Sequence, residues 1–224
     1  LWSTSVQHVA VGNLDLTLSS GSAIKNVIGS SHDDTITGNT LSNLLQGGGG
    51  NDTIYAYAGT GTLDTLEGGA GDDTYVSTES GTVFQFNGTG LGTDTINDFN
   101  SGYVLDFTNF GHAVSLDLTN SSPQSMGSDL TLSFFSLSGI KTVIGSNDGD
   151  AITGNSGDNS ILGGSGNDTI IGGSGNDTLL GGIGDDSQTG GTGDDSLDGG
   201  SGNDSYVFSG GTLGSDSITD ASGT

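Results

Sequence analysis

The 224 residues carry two Lys+Arg against 27 Asp+Glu, a formal charge of -25, with 44 Gly, one Pro and no Cys. Such a charge repels nucleic acid and anionic lipid alike, and Lys25 and Lys141 are the only bases, so neither is an expected partner. Without cysteine there is no disulfide framework or thiolate metal site, and no apolar run approaches the length of a membrane span, so membrane insertion is not expected.

Leu1 to Ile28 reads as strand, with Asn13-Leu-Asp-Leu-Thr-Leu placing Leu14, Leu16 and Leu18 on one face. From Gly29 the chain falls into nine-residue units: GSSHDDTIT, GNTLSNLLQ and GGGGNDTIY, then, after a three-residue insertion at Ala56 to Ala58, GTGTLDTLE and GGAGDDTYV. Their sixth places are Asp34, Asn43, Asp52, Asp64 and Asp73. Their eighth places, Ile36, Leu45, Ile54, Leu66 and Tyr75, are those that strand alternation turns inward. Ser77 to Ile144 lacks the unit but holds alternating runs such as Thr82-Val-Phe-Gln-Phe, Tyr103-Val-Leu-Asp-Phe and Leu130-Thr-Leu-Ser-Phe. These read as strands of longer rungs or of a small sandwich, with a conventional core, because nearly all the phenylalanines lie here. Pro123, in the polar stretch Thr119 to Ser128, marks an exposed loop.

From Gly145 to Val207 the unit returns seven times without remainder, as GSNDGDAIT, GNSGDNSIL, GGSGNDTII, GGSGNDTLL, GGIGDDSQT, GGTGDDSLD and GGSGNDSYV. Sixth places here are Asp150, Asn159, Asp168, Asp177, Asp186, Asp195 and Asp204. Ile152, Ile161, Ile170, Leu179, Leu197 and Tyr206 point inward, and Gln188 marks one weak rung. A longer period lies over the short one: Asn13 to Gly29 aligns with Asp129 to Gly145, and GGAGDDTYV with its trailing LGTDTINDF matches GGSGNDSYV with LGSDSITDA. The chain therefore divides into a strand-rich lead (1–28), a first repeat block (29–76), a strand-rich spacer containing the second lead (77–144), a second repeat block (145–207) and an acidic tail opening the next cassette (208–224). It starts without methionine and reads as a window of a tandem array of like neighbours.

The unit splits into a six-residue loop and a three-residue strand. Glycines at places one, two and four let the backbone turn its carbonyls toward one point, and the sixth-place aspartate adds an anionic oxygen where the loop ends. Hard oxygens at several points around a small cavity suit Ca²⁺. One buried Ile or Leu per unit contributes only about 1.5 to 3 kcal/mol, far short of what ordering nine residues costs. The metal-free repeats are therefore expected to be largely disordered, with calcium binding coupled to folding. Fifth-place residues such as Asn167, Asn176, Asp185 and Asp194 read as solvated loop residues.

The Gly-Gly-x-Gly-x-Asp-x-apolar-x unit resembles the repeats-in-toxin, or RTX, family. That resemblance implies an all-β fold of right-handed parallel β-roll or β-helix solenoid blocks, here joined by a strand-rich segment. Two units would make one turn, so loops two units apart share an ion: Asp168 with Asp186, Asp186 with Asp204, Asp177 with Asp195, and Asp34 with Asp52. The insertion leaves the side of Asp64 and Asp73 open. The metal ligands it implies are Asp34, Asp52, Asp64, Asp73, Asp150, Asp168, Asp177, Asp186, Asp195 and Asp204, with weaker or absent sites at Asn43 and Asn159. The closing Asp-x-Ile-x-Asp segments add Asp94, Asp98, Asp216 and Asp220. The resemblance further implies several Ca²⁺ ions and no catalytic centre. It implies type I secretion of an unfolded bacterial chain that folds outside the cell or at its surface. The doubled cassette fits a structural or adhesive surface protein or filament that contacts neighbouring cassettes and self-associates; the alternative is the non-catalytic carboxyl-terminal secretion and folding domain of a secreted hydrolase or polysaccharide-modifying enzyme.

Rival motifs fail. No Gly-Lys-Ser/Thr follows the glycine runs, so there is no phosphate loop. No glutamate closes a twelve-residue EF-hand loop. His8, His32 and His112 are scattered without metal-ligand spacing. Place three is too irregular for a flat ice-binding row.

Overall fold

A computed structural model describes residues 7–8, 12–19, 24–57, 63–98, 102–210 and 213–220. The opening of the unit at Gly59 and the final residues 221–224 lie outside the described residues. Parallel strands stack as a β-solenoid of about 10 turns, with no helix among the described residues. In the best-formed repeats the strand is longer than three residues. Thr169–Ser174 and Thr178–Ile183 run through the next unit's two glycines to its third place, leaving a three-residue loop. Glycine's low strand propensity hides this in the sequence, but pairing continues across it, as in Gly164↔Gly182 and Ser165↔Ile183.

One 11-stranded sheet runs the length of the coil, from Gln7–His8 to Ser217–Thr219. The opposite face is divided into a seven-stranded sheet, holding Asp15–Thr17 to Leu130–Phe134, and a five-stranded sheet from Ser115–Asp117 to Ser205–Tyr206. Val83–Gln85 and Tyr103–Asp106 are consecutive strands of the long sheet, so the spacer forms longer rungs of the same coil and not a sandwich. One turn departs from the pattern. After Tyr103–Asp106 the chain first opens the five-stranded sheet at Ser115–Asp117. It then closes the seven-stranded one with Gln124–Met126 against Leu130–Phe134, the only antiparallel pair among the described strands. The stretch around Pro123 is thus a hairpin arm and not simply an exposed loop: Gln124 and Met126 are buried. The Gln124 carboxamide joins the two sheets as a peptide group would. Its Oε1 accepts the Asp117 N–H at 2.7 Å, and its Nε2 donates to the Asp117 carbonyl at 2.8 Å.

Eighth-place residues form the core of both blocks. Ile36, Leu45, Ile54, Leu66, Ile161 and Ile170 are fully buried, while Leu14 and Leu16 are partly buried against it. Tyr206 is only partly buried, and Gln188 sits in the core with its Oε1 lacking any partner. In the middle rungs the core turns aromatic. Tyr75 meets Phe84 edge-on at 5.6 Å, Phe84 meets Tyr103 at 5.9 Å, and Phe86 stacks on Phe107 at 4.9 Å. Such pairs add about 0.5 to 1.5 kcal/mol beyond their buried area.

Candidate metal centres

Each turn returns the chain to the same edge 18 or 21 residues later, so sixth-place side chains stack in rows. After the residue that opens each row, every Oδ1 accepts the backbone N–H of the row's residue one turn earlier. On one edge these bonds run from Asp34 to Asp52, Asp52 to Asp73 and Asp73 to Asp94, then, in the second block, from Asp150 to Asp168, Asp168 to Asp186 and Asp186 to Asp204, all at 2.7 to 2.9 Å. On the other edge they run from Asn43 to Asp64, and from Asn159 to Asp177, Asp177 to Asp195 and Asp195 to Asp216. A 21-residue turn absorbs the insertion at Ala56, which places Asp73 over Asp52 and Asp64 over Asn43.

The second carboxylate oxygen is different. Oδ2 of Asp52, Asp64, Asp73, Asp168, Asp177, Asp186, Asp195 and Asp204 is buried with no hydrogen-bond partner. Apart from Asp64, whose unit opens outside the described residues, each lies over the first glycine of its own unit. A Cβ on Gly163 would collide with Asp168 Oδ2 and with the Gly181 carbonyl oxygen of the next turn; Gly47, Gly172 and Gly181 hold the same pair of oxygens. Carboxylate and carbonyl oxygens thus converge between consecutive loops on a space only glycine leaves open. Burial pushes Asp52 and Asp168 up to about 7, and neighbouring carboxylates raise them further against the N–H bonds that lower them. Asp73 and Asp177 rise to about 6 for the same leading reason, and Asp64, Asp150, Asp186 and Asp195 are raised too. Stacked buried acids of one sign, all but Asp150 among them with a bare oxygen, are an arrangement that a cation relieves.

A family model described as the RTX calcium-binding nonapeptide repeat, in 4 copies, matches residues 28–63, 64–77, 144–179, 153–188 and 180–212, more than half of the chain. The chain belongs to the RTX calcium-binding repeat family. It is a calcium-binding repeat module. A search of curated proteins finds no match.

The RTX loops fit calcium by their donor chemistry. Among the described residues no three Asp, Glu, His or Cys side chains converge on one point. At Gly47, Gly163, Gly172 and Gly181 a carboxylate oxygen meets a backbone carbonyl oxygen of the next turn, oxygen donors suited to a large, hard cation. Asp52, Asp64, Asp73, Asp168, Asp177, Asp186, Asp195 and Asp204, with their bare Oδ2 atoms, are the side chains that could hold it. When bound, calcium would neutralise the facing carboxylates of two turns and join them.

Other expected ligands of the RTX pattern lie differently. Asp34 and Asp150 are in the row, but both their carboxylate oxygens accept protein hydrogen bonds. Asn43 and Asn159 also make internal hydrogen bonds. Asp94 is buried, and its Oδ2 accepts the Tyr75 hydroxyl at 3.4 Å; burial above all pushes its carboxyl up to about 8. Asp98 is buried at the end of Gly92–Asp98, Asp216 is half-buried beneath Asp195, and Asp220 is exposed. The two acidic tails land on different faces: Gly92–Asp98 joins a short sheet, whereas Ser217–Thr219 joins the long one. The first copy's longer spacer, which contributes Val83–Gln85, accounts for the half-turn difference.

Sequence reasoning missed what the fifth place does. These side chains are exposed, yet they form an outer ladder in the opposite direction. Asp33 Oδ1 accepts the Asn51 N–H, Asn51 accepts from Asp72, and Asp185 accepts from Asn203, at 2.7 to 2.9 Å. The alternation of Asn and Asp halves the charge such a ladder would otherwise stack.

Proposed function

We propose that this chain is an extracellular structural or adhesive module that is secreted unfolded and folds on binding several Ca²⁺ ions, as part of a larger surface protein or filament on a bacterium. It is not an enzyme. One observation carries the reading: buried, partnerless Asp Oδ2 atoms recur turn after turn between consecutive loops. Leaving one buried ionised carboxylate uncompensated is costly, and a row of them is not sustained without a counter-ion. Millimolar extracellular calcium suits weak, loop-built sites. The doubled cassette favours an array stacking on like neighbours and self-associating over the second reading, a secretion and folding domain behind a hydrolase or polysaccharide-modifying enzyme.

Calcium titration of the purified, metal-stripped chain followed by far-ultraviolet circular dichroism tests the folding claim. A β spectrum that grows cooperatively with calcium is the expected result, and one already complete in excess chelator overturns it. Export from a bacterium carrying a type I channel, measured with and without that channel, tests the secretion claim.

A further inference from the structure

Asp64 aside, whose unit has Thr60 at place two outside the described residues, the sixth-place residues fall into two classes that the residue at place two separates. Where place two is glycine it takes positive φ, as at Gly48 (113°), Gly164 (118°) and Gly182 (119°), and the sixth-place Oδ2 is left without a donor. Where place two is Ser or Asn, no positive φ is adopted, and the N–H of that residue donates straight to the sixth-place side chain four residues on. Ser30 donates to Asp34 at 2.5 Å and Ser146 to Asp150 at 2.7 Å; Asn39 and Asn155 donate to Asn43 and Asn159 at 2.8 Å. Side chains complete these units. Ser146 Oγ donates to Asp150 Oδ1 at 2.8 Å, and Ser30 Oγ to Asp34 Oδ1 at 3.1 Å. On the other edge, the Asn155 and Asn159 amides both donate to the Ile140 carbonyl, while Asn39 donates to Ile24 and Asn43 to Lys25. Amide and hydroxyl protons therefore satisfy in these units the side-chain oxygens that the glycine units leave bare.

The positions of these four units are not scattered. They are the first two units of each block, one per edge, so each row opens on one of them. The sequence agrees with the geometry: every Gly-Gly unit has Asp at place six, both Ser units have Asp there, and both Asn units have Asn. In the two Asn units, place six carries no charge to offer a metal.

We propose that Asp34 and Asp150, with Asn43 and Asn159, belong to metal-independent caps that start each block, and that the first calcium on each edge is held one turn later, from Asp52 and Asp168 onward. The inference rests on the calcium reading above. Place two is the selector: glycine opens a unit to the ion, and serine or asparagine fills it with protons.

The test uses the full chain with calcium chloride alone as probe. Bound calcium per chain is measured by equilibrium dialysis for the wild type, for Asp34→Asn with Asp150→Asn, and for Asp52→Asn with Asp168→Asn. The first pair of changes should leave the count and the half-saturation point unchanged, and the second should remove two or more ions. Equal losses in both overturn the proposal. As a second measurement, amide exchange in the metal-stripped wild type should be at least tenfold slower at Ser146 and Asn155 than at Gly164 and Gly182; equal exchange overturns the proposal even if a variant fails to fold. A wild type that binds no calcium would instead sink the proposed function, while the exchange comparison would still decide whether the caps form without metal.

Discussion

Two stretches of the same coil are held by different means. Between Tyr75 and Ile144 the rungs enclose Phe84, Phe86, Tyr103, Phe107, Phe110 and Met126, side chains large enough to fill the space between two sheets. Between Ile152 and Leu197 each strand contributes a single inward residue, and each edge holds a buried aspartate. Both stretches share the long sheet and its parallel register. Architecture therefore follows from backbone pairing and the return of the chain to the same edge, whereas the conditions under which the coil persists follow from what lies inside it.

The largest effect should separate the two stretches outright. Stripping the metal should lower amide protection across Ser160–Ser201 by roughly a hundredfold or more, an energy of about 2.7 kcal/mol at 25 °C, while Phe84 to Leu132 keep most of theirs. Hydrogen exchange with mass spectrometry reads this, and uniform loss over the chain would erase the distinction drawn here. Conversely, Phe107→Ala should destabilise the middle by about 3 to 5 kcal/mol, by the same amount with and without calcium. Denaturant unfolding in both states checks it, and a calcium-dependent cost would show that the aromatic core is not independent.

Acidity sharpens the comparison further. Asp52 and Asp168 at about 7 and Asp73 and Asp177 at about 6 lie above the ordinary 3.8, so the metal-free folded coil binds protons more tightly than the unfolded chain. Its stability from these groups is full below about pH 4 and is lost as pH rises through 6 to 7. The β spectrum of metal-stripped protein should strengthen as pH falls from 8 to 5, and calcium half-saturation should shift to higher concentration over the same interval. A metal-stripped spectrum flat across that range contradicts the burial argument. The smallest effect is a gain. Gln188→Leu should stabilise the calcium-loaded chain by about 1 kcal/mol by removing a buried oxygen without a partner, seen as a rise in melting temperature.

Much of this was legible in the residues. Strand alternation picks out Ile161, Ile170 and Leu179 as core, and the RTX resemblance, with two units to a turn, puts Asp168, Asp186 and Asp204 on one edge. What stayed hidden depends on neighbours distant in sequence. The Gln124 arm is three residues long beside a proline, too short for alternation to register, and its purpose appears only against Asp117. The strands' extension through paired glycines is set by the adjacent turn, not by propensity. Ser146 and Gly164 occupy the same place in their units, and only the direction of one N–H reveals that they do opposite things. The insertion at Ala56 could have moved Asp73 to either edge until the 21-residue turn was seen to absorb it.

The two ladders on each edge have a consequence for any cation between them. The inner one aims its donors toward the carboxyl-terminal end of the coil, the outer one toward the amino-terminal end. In an α-helix like-oriented peptide dipoles sum to partial charges at the ends; here they oppose and largely cancel. The donors along the stack therefore give a cation no preferred direction, and its place would be set by the carboxylates of the turns beside it.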